Sequence, residues 1–245
     1  MVHEVIGEIR KFQNLETLSA ALAKSLVNVI NETLHEKKVF LIAISGGTTP
    51  QRLYKLIGGT YDKTIPWNAV HVFFCDERYV PHDDRQSNYQ MVKENLLDLI
   101  SIPQENVHPI STDYPNPDES AQVYERELRK YFQDDGSAFD LVLLGMGKEG
   151  HTASLFPGSP ALDEEKKWVA AVEVNASPRR RITLTYTILN RAARIYFVIS
   201  GSEKMGAFSE VAKPNVDFHI YPAAGIVPYN GKLVWWIDRA VSGAK

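Results

Sequence analysis

Apolar residues at Leu15, Leu18, Leu22, Leu26, Val29, Ile30 and Leu34 recur in steps of three and four, which predicts one buried helical face over Leu15 to Leu34. A different pattern follows. Val39-Phe40-Leu41-Ile42-Ala43-Ile44 is a short unbroken apolar run that stops at Ser45-Gly46-Gly47, as expected of a strand buried on both faces. The same reading covers Val70 to Cys75, Phe139 to Leu144, Ile195 to Ile199 and Leu233 to Ile237. Helical patterns lie between these runs. They are Gln51 to Ile57 with Pro50 in its first turn, Ser87 to Ile100 opened by a capping box at Ser87-Asn88-Tyr89-Gln90, Asp118 to Phe132, and Ser202 to Val211 opened by a serine cap. Strands alternating with helices predict an α/β fold, a mostly parallel sheet with helices on both faces. No repeat or Gly/Ser linker divides the chain, so residues 1–245 are expected to form a single domain.

Ligands of such sheets bind outside the carboxyl ends of the strands, so the segments after each run are where chemistry is expected. The first run is followed by Ser45-Gly46-Gly47-Thr48-Thr49-Pro50. Its glycines allow close backbone approach, its hydroxyls add donors, and the helix N-terminus adds partial positive charge. It reads either as a phosphate cradle or as a tight strand-to-helix turn with a capping Thr; it lacks the Gly-Lys-Ser/Thr close of a P-loop. The second run is followed by Asp76-Glu77-Arg78, three charges that read as ligand-facing groups or as a local ion pair.

The third run is followed by Gly145-Met146-Gly147-Lys148-Glu149-Gly150, formally a G-x-G-x-x-G. Pro157, Gly158 and Pro160 stop any long crossover helix, and Asp163 to Glu165 precede the next apolar run instead of ending it, so a dinucleotide site is excluded. The glycines instead hold His151 at the ligand edge, unlike His35 in its charged, solvated stretch. Further on, Arg179-Arg180-Arg181 alone would read as a solvated cluster. Lys204 falls in the first turn of a helix, where a cation opposes the macrodipole unless an anion is bound. Two anion-friendly loops, several cations and one well-placed His suggest a sugar-phosphate site.

Composition narrows the choice. The 245 residues carry 27 Lys plus Arg against 30 Asp plus Glu, a formal charge of −3, without the basic excess that nucleic-acid binding needs. No apolar run approaches a membrane span, and Met1-Val2-His3-Glu4-Val5 has no leader pattern, so a cytoplasmic protein is expected. The one cysteine, Cys75, excludes an intrachain disulfide and a cysteine zinc site, and is expected to be a buried strand thiol. Neither H-E-x-x-H nor G-x-S-x-G is present, so no metal, cofactor, or Ser or Cys nucleophile is expected.

In order along the chain stand Ser45-Gly46-Gly47-Thr48-Thr49-Pro50, Asp76-Glu77-Arg78-Tyr79-Val80-Pro81 with Ser87-Asn88, the stretch from Gly145 through His151-Thr152-Ala153-Ser154-Leu155-Phe156-Pro157-Gly158, Arg181-Ile182-Thr183-Leu184-Thr185, and Gly231 to Ala240. From about residue 12 to residue 242 the sequence resembles the 6-phosphogluconolactonase family. It departs at Glu149, where that family usually has Asp. The resemblance implies a Rossmann-like single domain similar to glucosamine-6-phosphate deaminase. It also implies metal-free hydrolysis of 6-phospho-D-glucono-1,5-lactone to 6-phospho-D-gluconate in the oxidative pentose phosphate pathway, by a monomer or a homodimer.

On that reading His151 is the general base toward water, and Arg78 or the backbone N–H groups of residues 145–150 stabilise the oxyanion. Asp76 orients His151 or binds a sugar hydroxyl. The phosphate sits on Ser45, Gly46, Gly47 and Thr48, clamped by Arg181 and Lys204. Two alternatives stand beside it. An aminosugar-6-phosphate deaminase or isomerase carries a Glu five residues after its His, where this chain has Phe156, and a tyrosine where it has Arg78. A non-catalytic sugar-phosphate sensor normally carries an extra domain, for which the residues before 10 and after 242 are too few.

Overall fold

A computed structural model describes residues 7–133, 136 and 138–243; the stretch Met1 to Val5, read above for a leader, lies outside them. The chain opens with strand β1 (Glu8–Phe12) and helix α1 (Leu15–Glu36). Asn14 caps α1 reciprocally with Thr17: the Thr17 N–H donates to Asn14 Oδ1 at 2.9 Å and the Asn14 N–H to Thr17 Oγ1 at 3.2 Å. The face predicted from the periodicity is buried at Leu18, Leu22, Leu26 and Ile30. There follow β2 (Phe40–Ile44), α2 (Thr48–Leu56), β3 (Val70–Phe74), a short β4 (Asp76–Arg78), α3 (Asn88–Asn95), β5 (Val107–His108), α4 (Pro117–Leu128) and β6 (Leu141–Leu144). The C-terminal half adds β7 (Val169–Glu173), β8 (Arg180–Leu184), α5 (Tyr186–Leu189), β9 (Arg194–Ile199), α6 (Met205–Val211), β10 (Lys232–Asp238) and α7 (Arg239–Ser242).

Seven strands form one sheet in the order β1-β10-β9-β6-β2-β3-β5, and each of these pairings is parallel. A parallel sheet hides both faces, which explains the unbroken apolar runs; Phe40, Ala43, Phe73, Val142, Phe197 and Ile237 have no solvent exposure. From β2 the chain steps outward to β3 and β5; from β6 it steps the other way, to β9 and β10. Right-handed crossovers then put α1, α2 and α3 on one face and α4, α5 and α6 on the other, and α1 packs on α2 as α2 packs on α3. The order reverses between β2 and β6, which are direct neighbours.

Helix α4 is fastened to the sheet by Tyr124. Its hydroxyl accepts from the Phe74 N–H at 2.8 Å and donates to the Phe74 carbonyl at 3.0 Å. Because β5 pairs only with Val72 and Phe73, Tyr124 supplies what a longer neighbouring strand would have given Phe74.

A second, antiparallel sheet has the order β4-β8-β7. Here the sequence reading needs correction. Asp76-Glu77-Arg78, assigned to no element from its pattern, is a strand, and the arginine run leads into β8, where Arg181 is buried rather than solvated. Charged residues conceal a strand when its pattern is judged by hydrophobicity alone. β1, a polar edge strand, and β5, with two residues, escaped for related reasons. The helix expected through Ile100 stops at Asn95, whose side chain donates to the Met91 carbonyl at 2.6 Å, and a 3-10 turn at Leu97–Leu99 follows. Ser87 does cap that helix, but Gln90 turns to Glu94 instead of completing the box. Asn116 and Pro117 open α4, which ends at Leu128 rather than Phe132. No serine caps the helix before Val211: Gly201, at φ 106°, leads into a 3-10 turn at Ser202–Lys204, and α6 begins at Met205. Cys75 is buried as expected, its thiol toward the Leu143 carbonyl at 3.6 Å, and burial pushes its pKa up. Among the described residues no helix is long and apolar enough to cross a membrane.

Tyr124→Phe keeps the ring and strands the Phe74 N–H and C=O. Urea unfolding is expected to show a loss of about 1–3 kcal/mol with an unchanged slope.

Candidate active site

Since β2 and β6 are neighbours at the reversal, the loops leaving their carboxyl ends meet. Between them is a cleft of about 190 Å³ lined by Ser45, Gly46, Gly47, Thr48, Asp76, Arg78, His151, Arg181 and Lys204, together with Asn88, Met146 and Gly147. The structure therefore brings every candidate residue from the sequence to one place.

The loop after β2 is shaped by its glycines. Gly47 has φ 103°, in the region that favours glycine. At Gly46 a Cβ would fall 1.9 Å from Asn88 Oδ1. The Tyr54 hydroxyl pins the loop from below by donating to the Ser45 carbonyl at 2.7 Å. Helix α2 begins at Thr48, so its first-turn N–H groups and partial positive charge border the cleft.

The second sheet supplies a wall of alternating character. The two-residue period turns Asp76 and Arg78 toward the cleft and Glu77 away from it. Glu77 is buried against α3, where it accepts from Ser87 Oγ at 3.0 Å and from the N–H groups of Asn88 and Tyr89 at 2.6 and 2.7 Å. Burial pushes its pKa up, against the pull of those N–H groups. Arg78 stands directly opposite Arg181 in the register. Each is tethered to a backbone carbonyl rather than to a carboxylate: Arg78 Nη1 to Gln86 at 2.7 Å, and Arg181 Nε to Pro178 at 2.8 Å. Lys204 is held likewise, Nζ donating to the Met146 carbonyl at 2.6 Å. Burial lowers the pKa of both Arg181 and Lys204. Like charges set opposite one another are unfavourable by themselves, and a bound anion relieves the repulsion.

His151 is fixed by the loop after β6. The Gly147 N–H donates to the His151 carbonyl at 2.9 Å, and Thr152 Oγ1 to the Gly145 carbonyl at 2.9 Å. A Cβ on Gly147 would lie 2.1 Å from His151 Nδ1, so only glycine lets the ring lie there. The imidazole stacks on Phe156, centroids 3.9 Å apart and planes within 15°. Its Nδ1 is 3.1 Å from Glu149 Oε1, close enough for an ion pair although the angle is not that of a hydrogen bond. The His151 contact pulls the Glu149 carboxyl down to about 2, against the opposing effect of burial. Asp76 is engaged elsewhere, accepting from Ser154 Oγ at 2.7 Å and from Asn88 Nδ2 at 3.1 Å. The carboxylate beside His151 is thus Glu149, while the Asp76 carboxylate is occupied by Ser154 and Asn88.

Ser45 Oγ, Arg78 Nε and Asn88 Oδ1 are buried with no hydrogen-bond partner among the described residues, and all three residues line the cleft. Donors and acceptors so placed are available to a polar ligand. Sequence reasoning did not assign Asn88, Phe156 or the Met146 carbonyl to the site. Asn88 had two signals, its place just after the Ser87 cap and its presence in the motifs that carry the family resemblance.

The pattern of the family described as "Glucosamine-6-phosphate isomerases/6-phosphogluconolactonase" matches residues 13–235. The chain belongs to this family of sugar-phosphate enzymes. Curated relatives named 6-phosphogluconolactonase include one from Synechocystis sp., 39% identical over 213 residues and 86% of each chain, and one from Nostoc sp., 38% identical over 91% of this chain and 92% of the other. The solved 6-phosphogluconolactonase of Thermotoga maritima superposes with a TM-score of 0.82 at 30% identity, covering 95% of this chain and 99% of that one. A monomeric glucosamine-6-phosphate deaminase shares the fold, at 19% identity and a TM-score of 0.84 over 97% of this chain and 100% of that one.

A carboxyl held below its ordinary value adds stability above that value, and the contribution is lost as pH falls through the lowered one. Wild type is therefore expected to melt higher than Glu149→Gln above pH 4.5, the gap closing as pH falls from 4.5 toward about 2, as thermal melts across pH would read.

Proposed function

We propose that this chain hydrolyses 6-phospho-D-glucono-1,5-lactone to 6-phospho-D-gluconate, a carboxylic ester hydrolysis in the oxidative pentose phosphate pathway. The observation that carries the reading is the imidazole of His151, clamped between Phe156 and Glu149, in the same cleft as three cations tethered to carbonyls. Such a site joins a general base to an anion receptor.

In this mechanism the phosphate lies against the Ser45–Thr48 loop and the start of α2, held by Arg181 and Lys204. Arg suits bidentate oxygen contacts, and Lys a point-charge contact. His151 takes a proton from water as the water oxygen bonds to the lactone carbonyl carbon. The carbonyl oxygen gathers negative charge, which Arg78 or the loop N–H groups stabilise. The bond from that carbon to the ring oxygen then breaks, and His151 returns the proton to the departing oxygen. Glu149 Oε1, 3.1 Å from Nδ1, holds the imidazole in orientation between the two transfers. Asp76, engaged by Ser154 and Asn88, serves as a hydroxyl acceptor. The lactone carbonyl is already electrophilic, so the route needs neither a covalent intermediate nor a cofactor. Phe156 weighs against deaminase chemistry, because an apolar ring packed on His151 stands where that family has an acid. One domain, its buried core running from Leu18 to Val241, and a cytoplasmic location belong to the same reading.

Acid release from fresh lactone, corrected for spontaneous opening, tests the activity; no acceleration over background overturns it. His151→Ala is expected to lower kcat by about 10²–10⁴-fold with a modest change in KM. Lys204→Ala is expected to act mainly by raising KM, since its ammonium holds a group remote from the reacting carbonyl.

A further inference from the structure

Asn88 is 1% exposed, lines the cleft and carries one buried atom without a hydrogen-bond partner among the described residues. Its Nδ2 donates to the Asp76 carbonyl at 2.9 Å and to Asp76 Oδ1 at 3.1 Å. Two acceptors on one side fix the orientation of the amide, because the flipped form would set its oxygen against both. The partnerless atom is therefore the oxygen, Oδ1. It packs against Gly46, where any Cβ would stand 1.9 Å away, so only glycine fits there. Asp76 is itself anchored by Ser154 Oγ at 2.7 Å, which makes Ser154, Asp76 and Asn88 a braced row ending in an acceptor.

We infer that Asn88 determines substrate specificity by accepting a hydrogen bond, through Oδ1, from a ring hydroxyl of the phosphorylated lactone. The inference rests on the lactonase reading and extends it. The phosphate and carbonyl groups of such a substrate accept hydrogen bonds at neutral pH; its hydroxyls are its donors. The cations of the cleft offer only donors. An unsatisfied buried acceptor therefore reads a hydroxyl, and a substrate lacking that hydroxyl leaves Oδ1 desolvated and unpaired, which is the strong form of discrimination.

The test compares kcat/KM for 6-phosphogluconolactone and its 2-, 3- and 4-deoxy analogues in wild type, Asn88→Ala and Ser154→Ala. Wild type is expected to prefer the parent over one analogue by about tenfold or more. Asn88→Ala should lose that preference at the one position and keep it at the others. Ser154→Ala, which loosens Asp76 but retains Oδ1, should keep it. If Asn88→Ala slows all four substrates by the same factor, or leaves every preference intact, Asn88 only braces Asp76 and the inference is overturned. A wild type inactive on the parent lactone sinks the lactonase reading instead. Should Asn88→Ala fail to fold, Asn88→Ser, whose hydroxyl retains a donor toward Asp76, is read by the same criterion.

Discussion

The reversal of strand order between β2 and β6 is the constraint on which the rest depends. In an all-parallel sheet the crossover that leaves each strand must go to one side. Where two neighbouring strands send theirs in opposite directions, a crevice opens at their carboxyl ends. The Ser45–Gly47 loop and the Gly145–His151 loop are about a hundred residues apart in sequence and adjoin only for this reason. The small antiparallel sheet then closes the crevice from the side with β4 and β8. One topological feature thus gathers the Ser45–Gly47 loop, His151 and a cationic wall.

The site is held in a state that favours an anion. Arg78 and Arg181 face each other across a strand pair, and Lys204 joins them; each is tied to a backbone carbonyl. A carbonyl fixes the position of a cation without neutralising it, whereas a carboxylate would consume its charge. The net charge of −3 hides this local arrangement. A negatively charged protein can still receive a dianion, because the field in a cleft depends on the few groups that face it.

Positioning in the site is largely a matter of what surrounds the reacting groups. Phe156 and Gly147 set the plane of His151, one by stacking and one by having no side chain. Glu77 uses its carboxylate on the N-terminus of α3 and so holds Asn88 in place. Asp76, singled out in the sequence for its charge, is braced by Asn88 and Ser154. Glu149, a methylene longer than an aspartate, reaches His151 Nδ1 with its Oε1 at 3.1 Å.

The parallel sheet is legible in the sequence, because burial on both faces demands the apolar runs that become β2 (Phe40–Ile44), β6 (Leu141–Leu144) and, after its opening arginine, β9 (Arg194–Ile199). The sequence also determined which segments line the cleft, since ligand loops must follow strands, and the nine candidate residues meet there. Only the tertiary structure decided that β4 and β8 are strands. Their pairing offsets the weak hydrophobic signal of Asp76-Glu77-Arg78 and of Arg180-Arg181, and no local pattern encodes a partner a hundred residues away. Tertiary contacts likewise set which carboxylate lies beside His151 and bring Asn88 to the cleft. Both depend on contacts of a few ångströms between distant segments, and spacing along a chain carries no such distances.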